Sequence, residues 1–159
     1  TGMGQGDITT TPLQLANLAA SIANRGWYIT PHIHDHASQS YTEQNWTKVD
    51  PNAYPLVIKG MRQAVLSGTC TALKACSFPV CGKTGTVENP GPDHSVFIGF
   101  APMENPKIAI AVFVEHGGFG ADLAAPMASV MLELYIKGKL TPALQQRAKR
   151  LEEKTVIGK

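Results

Sequence analysis

The sequence predicts an α+β domain in which a central antiparallel sheet carries helices on both faces. Three observations lead there. Ile108-Ala109-Ile110-Ala111-Val112-Phe113-Val114 is apolar at every position, and a strand apolar on both sides needs cover on both sides. Pro102-Met103-Glu104-Asn105-Pro106 joins that run to the apolar stretch Ser95–Ala101, a connection of hairpin length. Segments with helical spacing of apolar residues stand before and after these strands.

The first helix is marked by Thr11 as N-cap, Pro12 at the first helical position and Gln14 completing a capping box. Leu15, Leu18, Ala19 and Ile22 recur at helical spacing, and Ala16, Ala19, Ala20 and Ala23 imply close packing, so this helix is expected to be deeply buried. Gly26 is expected as its left-handed cap. Trp27-Tyr28-Ile29 reads as a short extended piece, and residues 32–49 as an exposed loop or weak hairpin. Asp50-Pro51 is expected to start a second helix with Tyr54, Val57, Ile58, Met61 and Val65 on one face and Ser67-Gly68 at its end.

Short strands are expected at Phe78–Val80, Lys83–Val87, Ser95–Ala101 and Ile108–Glu115. Gly117-Gly118-Phe119-Gly120 makes a turn. A third helix runs from about Leu123 to Lys137 with Met127, Val130, Met131 and Leu134 as its core stripe, and Gly138 ends it. Pro142 to about Lys154 is a capped helix of mixed charge, read as a solvated tail.

The 159 residues suffice for one domain with a core, and 43% apolar against 16% charged residues indicates a globular chain. A net charge of +2 gives no argument for nucleic acid or an anionic membrane surface. No apolar run of about 18 residues is present to span a bilayer. The opening Thr1-Gly2-Met3-Gly4-Gln5-Gly6 carries no signal-peptide pattern and reads as cut from something longer.

Cys70, Cys76 and Cys81 lie close together, and an odd number leaves one unpaired if a disulfide forms. Zinc bound by these thiols with His32, His34 and His36 is the sharper alternative, but no Cys-x-x-Cys pair exists. Plain, partly buried thiols are expected, with no metal and no cofactor.

Gly82-Lys83-Thr84-Gly85-Thr86 concentrates the chemistry. A nucleotide-binding loop would need glycine at position 77, where Ser77 stands, and would have to open into a helix that Asn89-Pro90-Gly91-Pro92 forbids. A bare turn is the plain alternative. On a strand, Lys83 and Gly85 point one way and Thr84 and Thr86 the other. A regular strand cannot aim all four at one cleft, so either it twists locally or one threonine is structural, Thr84 being the first candidate. Glu88, Asn89 and His94 flank the motif. Gly117–Gly120 offers a cleft wall, and His116 is the nearest acid/base candidate.

Lys83-Thr84-Gly85 is one of three signatures of the penicillin-binding proteins and class A β-lactamases; the other two, Ser-x-x-Lys and a Ser-x-Asn triplet, occur nowhere in the chain. Gly4-Gln5-Gly6 with Thr9-Thr10-Thr11-Pro12-Leu13-Gln14-Leu15-Ala16 resembles the segment leading into a core helix of such transpeptidases. Gly68-Thr69 and Thr71-Ala72 resemble the turn before the motif strand, with Cys70 a departure, and His94–Pro102 resembles the strand after it. The likeness is to class B, elongation-type penicillin-binding proteins. It implies that residues 1–138 form the C-terminal portion of a penicillin-binding protein/β-lactamase-like transpeptidase domain, with 139–159 a charged helical tail.

That likeness implies a D,D-transpeptidase that cross-links peptidoglycan stem peptides through a serine acyl-enzyme and is acylated by β-lactams. The nucleophile would lie outside this chain. By resemblance, Lys83 supplies positive charge, Thr84 and Thr86 offer hydroxyls to the donor's carboxylate, Gly85 admits the substrate, and the Thr86 N–H forms half of an oxyanion hole. The expected partners are stem peptides, β-lactams, the serine-bearing remainder of the protein and cell-wall elongation proteins, with the domain outside the cytoplasmic membrane. A β-lactamase or D,D-carboxypeptidase on the same scaffold, or a non-catalytic peptidoglycan-binding piece, stays open on the sequence.

Overall fold

The computed structural model describes residues 5–32 and 42–154. Helix α1 spans Pro12–Ala23, and its capping box is formed: Thr11 Oγ1 accepts from the Gln14 amide, and the Gln14 side chain accepts from the Thr11 amide. The left-handed position after it is taken by Arg25 (φ 59°), not by Gly26, which follows at φ 121°. Gly26 is buried beneath Tyr54, whose ring stands 3.1 Å from where a Cβ would project. α1 is less buried than its alanines suggest. Ala19 and Ala23 are enclosed, while Leu13 and Leu18 are exposed.

Strands β1 (Trp27–Tyr28) and β2 (Asn45–Trp46) pair antiparallel, Trp27 opposite Trp46, and residues 33–41 of the segment read as a loop or weak hairpin lie outside the described residues. Helix α2 runs Ala53–Ser67, starting later than Asp50-Pro51 suggests. Asp50 instead makes a turn, its Oδ1 accepting from the Asn52 amide. Tyr54, Ile58, Met61 and Val65 face the core as expected, but Val57 is exposed. After α2 comes an unforeseen 3₁₀ turn, Thr71–Ala75.

β3 (Cys81–Val87), β4 (His94–Ala101) and β5 (Ile108–Val114) form an antiparallel sheet in the order β3-β4-β5. Phe78-Pro79-Val80 does not join it, contrary to the sequence reading. Pro79 has no N–H to give a ladder. The carbonyls of Pro79 and Val80 accept instead from the Met103 amide and from Arg62 Nη1.

Register sorts the side chains onto two faces. Phe97, Ala101, Ile110 and Val112 point toward α3 (Ala124–Lys137) and join Ala124, Ala125, Ala128 and Leu132 in the larger core. Cys81 and Phe100 point the other way, toward Ala23 of α1 and Tyr54, Ile58 and Met61 of α2. The expected cover on both faces is therefore present, and it encloses an alternating sheet.

Half of the stripe expected for α3 faces outward, while Met127 packs at the edge of the larger core. Met131 and Leu134 are exposed, and Met127 and Val130 only partly buried. The helix turns Ala124, Ala125, Ala128 and Ser129 to the sheet because small side chains let its backbone come close. Its start is capped from another element: Leu123 has no side-chain cap, and the buried Ser95 hydroxyl of β4 accepts from the Ala124 amide while donating to the Phe119 carbonyl. Gly138 ends the helix in the left-handed conformation as expected.

Helix α4 (Pro142–Glu152) begins at the Thr141 cap. It is solvated on its outer face only, since Leu144 is fully buried against the rest of the chain. The Ala101-Pro102 peptide bond is cis.

Close approach dictates the β3–β4 register. Gly82 stands opposite Gly99, and a Cβ on either would lie 2.3 Å or 2.7 Å from Phe97 Cζ. Replacing Gly82 by Ala should cost about 1–3 kcal/mol of stability through overpacking against this ring. Urea unfolding of G82A checks this, and an unchanged midpoint would contradict the steric account.

Candidate active site

The motif strand is an edge strand. Among the described residues β3 pairs with β4 alone in the sheet, and side chains of Lys83 and Cys70 meet the Thr84 backbone. The alternation expected from the sequence holds: Lys83 and Gly85 sit opposite Ile98 and Val96, on the α1/α2 side, whereas Thr84 and Thr86 sit opposite Phe97 and Ser95, on the α3 side.

The two threonines are not equivalent. Thr84 is buried and its hydroxyl pairs with that of Thr69, in the turn between α2 and the 3₁₀ segment. Thr86 is exposed, and its hydroxyl accepts from the Gly120 amide at 3.4 Å. Gly120 presses so close that a Cβ there would lie 2.4 Å from the Gly85 carbonyl oxygen and 2.9 Å from Thr84 Cβ. The Gly117–Gly120 turn thus lies against the motif strand.

Lys83 is exposed and its Nζ donates to the Thr84 carbonyl at 2.7 Å. It stands at the lip of a mostly apolar groove of about 650 Å³, lined by Ile22, Val57, Met61, Ala64 and Ile98 among others. Gly85 differs from the other glycines around the strand. A Cβ on it would meet only Val96, at an ordinary 3.4 Å, so internal packing does not demand glycine there.

The flanking candidates gather at the far end of the strand. The His116 amide donates to His94 Nδ1 at 3.0 Å, which fixes His94 as an acceptor at that nitrogen. The two rings lie 5.1 Å apart, and His94 also stacks on Phe113 at 5.3 Å. His116 Nδ1 lies 3.1 Å from the Pro92 carbonyl and 3.3 Å from Asn89 Nδ2, with its own backbone at a positive φ of 54°. These contacts make the cluster a loop clasp. Glu88 meets Gln5, whose side-chain amide donates to the Glu88 carbonyl and accepts from its N–H.

Sequence reasoning missed the roles of Thr69 and Ser95. Thr69 stood within a matched turn, but its pairing with Thr84 spans two elements and leaves no local pattern.

All three cysteines are free thiols. Burial pushes Cys76 up to about 12, Glu133 adding to the effect and Arg147 opposing it. Burial likewise pushes Cys81 up to about 11, with Arg62 opposing. Cys70 is raised by burial too, against hydrogen bonds from Thr84 and Thr69 and the charge of Lys83. Among the described residues no group of three His, Cys, Asp or Glu side chains could hold a metal ion, and His34 and His36 lie outside those residues.

Neutral buried thiols are poor nucleophiles. Ellman's reagent should therefore react slowly with the folded protein near neutral pH and fast after denaturation. Raised thiol pKa values place any faster native reaction toward strongly alkaline pH. Rapid native reaction at neutral pH would contradict this burial.

A family model described as the penicillin binding protein transpeptidase domain matches residues 1–133. Peptidoglycan D,D-transpeptidase MrdA of Acinetobacter baumannii is 34% identical, over 91% of this chain and 25% of its own length. Peptidoglycan D,D-transpeptidase PbpA of Mycobacterium tuberculosis is 31% identical, over 87% of this chain and 32% of its own. Among solved structures, PBP2 of Pseudomonas aeruginosa superposes with a TM-score of 0.77 at 35% identity, covering 89% of this chain and 33% of that one. The imipenem acyl-enzyme of penicillin-binding protein A from M. tuberculosis gives 0.70 at 32% identity, covering 86% and 34%. The chain therefore spans about a quarter to a third of the length of these relatives.

Proposed function

The chain belongs to the penicillin-binding protein transpeptidase domain family, and we propose that it supplies the motif-strand wall of a penicillin-binding protein 2-like D,D-transpeptidase active site. The observation that carries this reading is Gly85. It sits on a strand with one strand neighbour among the described residues and has no internal contact that requires a glycine, whereas Gly82, Gly99 and Gly120 are each demanded by packing. A glycine spared by the protein's own packing leaves room for something outside it. An extended peptide can add to such an edge through backbone hydrogen bonds.

In the reaction proposed, a serine hydroxyl from outside these residues attacks the carbonyl carbon of the penultimate D-Ala. The C–N bond to the terminal D-Ala breaks, and that D-Ala leaves as an amine carrying the serine's proton. The acyl group then passes to an amine of a neighbouring stem peptide, which gives up a proton and frees the serine. A β-lactam takes the donor's place, and its ring-opened acyl group stays attached.

Within that scheme Lys83 supplies positive charge near the donor's carboxylate, and Thr86 offers a hydroxyl to it. The Thr86 N–H contributes to the oxyanion hole, where preorganised donors are worth about 3–4 kcal/mol in the barrier. Thr84, which the family resemblance places at the carboxylate, pairs its hydroxyl with Thr69, so its first duty is to hold the strand. No local histidine is required when the lysine of the Ser-x-x-Lys signature, outside these residues, serves as base, and His94 and His116 are engaged with each other and with Asn89 and Pro92.

The partners proposed are peptidoglycan stem peptides, β-lactams, the serine-bearing remainder of the protein and cell-wall elongation proteins. Acyl-enzyme complexes of a relative and a peptidoglycan synthase complex among the structural neighbours support this. The site of action proposed is outside the cytoplasmic membrane, where cross-linking occurs. Among the described residues no helix is long and apolar enough to cross a membrane. A β-lactamase or D,D-carboxypeptidase would share the motif, and turnover of penicillin in place of a lasting adduct would favour it.

The test is acylation of the full-length protein by a fluorescent penicillin. G85A should keep wild-type stability yet lose about 10²-fold in acylation rate, because displacing the acyl donor by about 1 Å is enough for that. K83A should lose about 10²-fold as well. Normal acylation of both variants would remove the functional claim for this strand.

A further inference from the structure

Between α2 and the motif strand the chain runs irregularly through residues 68–80, and it is this segment that carries Thr69 to the Thr84 hydroxyl. Its own hydrogen bonds are few. Gly68 and Cys70 amides reach the Ala64 carbonyl, and the 3₁₀ turn closes through the Leu73 and Cys76 amides. A short 3₁₀ turn holds its geometry poorly without help.

Help comes from the C-terminal helices. Arg147 of α4 donates through Nη1 both to the Ala72 carbonyl at 2.6 Å and to Ser129 Oγ of α3 at 2.6 Å. Ser129 is fully buried and passes its own proton to the Pro126 carbonyl at 2.6 Å, which leaves its lone pairs toward Arg147. Four residues along α3, the buried Glu133 accepts from the Ser77 amide at 2.9 Å, and the Cys76 thiol donates to the Ser129 carbonyl at 3.5 Å. Charge-assisted bonds of this kind are shorter and stronger than neutral ones. The guanidinium therefore ties three pieces together: α4, α3 and the turn that carries Thr69.

We infer that Arg147 is a positioning residue for the motif strand, acting through Ala72 and the Thr69–Thr84 hydroxyl pair, an inference that rests on the acyl-transfer reading above. Arg147 lies beyond residue 133, where the match to the family model stops. The charged helix read from sequence as a solvated tail thus sets the position of an active-site wall. Loss of Arg147 frees the Ala72 end of the turn, Thr69 shifts, and the oxyanion donor at Thr86 moves with the strand.

The experiment uses the full-length protein and resolves penicillin acylation into initial non-covalent binding and the first-order acylation step. Wild type, R147A, R147K, T69V and R147A/T69V are compared, with Tm for each. R147A should slow the acylation step about tenfold with initial binding little changed, and the R147A/T69V double variant should be no slower than T69V alone, because both act on one linkage. R147K, which keeps a charged donor on a shorter side chain, should restore part of the rate.

A fall in Tm with an unchanged acylation step would make Arg147 a stability residue only and overturn the inference. So would independent, multiplying effects of R147A and T69V. If R147A does not fold, R147M, which keeps the apolar stem and removes the guanidinium that holds Ala72, takes its place in the cycle with the same expectation. Failure of wild type to label would remove the acyl-transfer reading, and this inference with it; labelled wild type with an indifferent R147A would remove this inference alone.

Discussion

The ring of Phe97, laid across the Gly82–Gly99 pair, is the constraint from which the site follows. It fits only if those two glycines face each other. That pairing fixes the β3–β4 register, and a slip of one residue would exchange the faces of every side chain on β3. Lys83 and Gly85 would then turn toward α3, and Thr84 would lose Thr69. The aromatic ring contributes far more than its buried area, because it selects one register among several that backbone hydrogen bonding alone would tolerate.

Around that register the motif strand is held at both ends and from both sides. Arg62 and the Met103 amide fix the approach at Pro79 and Val80. Thr69 and Gly120 grip the α3 face, and Gln5 holds the exit at Glu88. Of the motif side chains, Lys83 lines the groove on the α1/α2 face and Thr86 stays exposed on the other. Such an arrangement suits the preorganised wall proposed above: neighbours supply rigidity, and Lys83, Gly85 and Thr86 are left for the chemistry assigned to them there.

Much of this was legible in the sequence, and the reasons differ by element. The capping box of Thr11 and Gln14 and the Gly138 stop are local signals, and both formed. The apolar run 108–114 correctly implied cover on two faces, and the Lys83/Thr84 alternation follows from strand geometry. Tertiary demands defeated the rest. Met127, Val130, Met131 and Leu134 look like a core stripe, yet close packing on the sheet favoured the alanines of α3. Asp50-Pro51 looks like a helix start, yet Asp50 closed a turn with Asn52. The Thr69–Thr84 and Arg147–Ala72 contacts join residues far apart in sequence and have no local signature.

The hydroxyl of Ser95 gives α3 its first hydrogen-bond acceptor, so the beginning of that helix is encoded on a strand. Where a helix carries its own cap, the loop before it can lengthen or shorten and the frame of the helix travels with it. Here the frame is pinned to the sheet. An insertion between Val114 and Leu123 must be absorbed entirely as bulge. Because Phe119 is held by Ser95 and Gly120 by Thr86 and Ala125, that bulge has room only before Phe119, where it changes the loop without rotating α3.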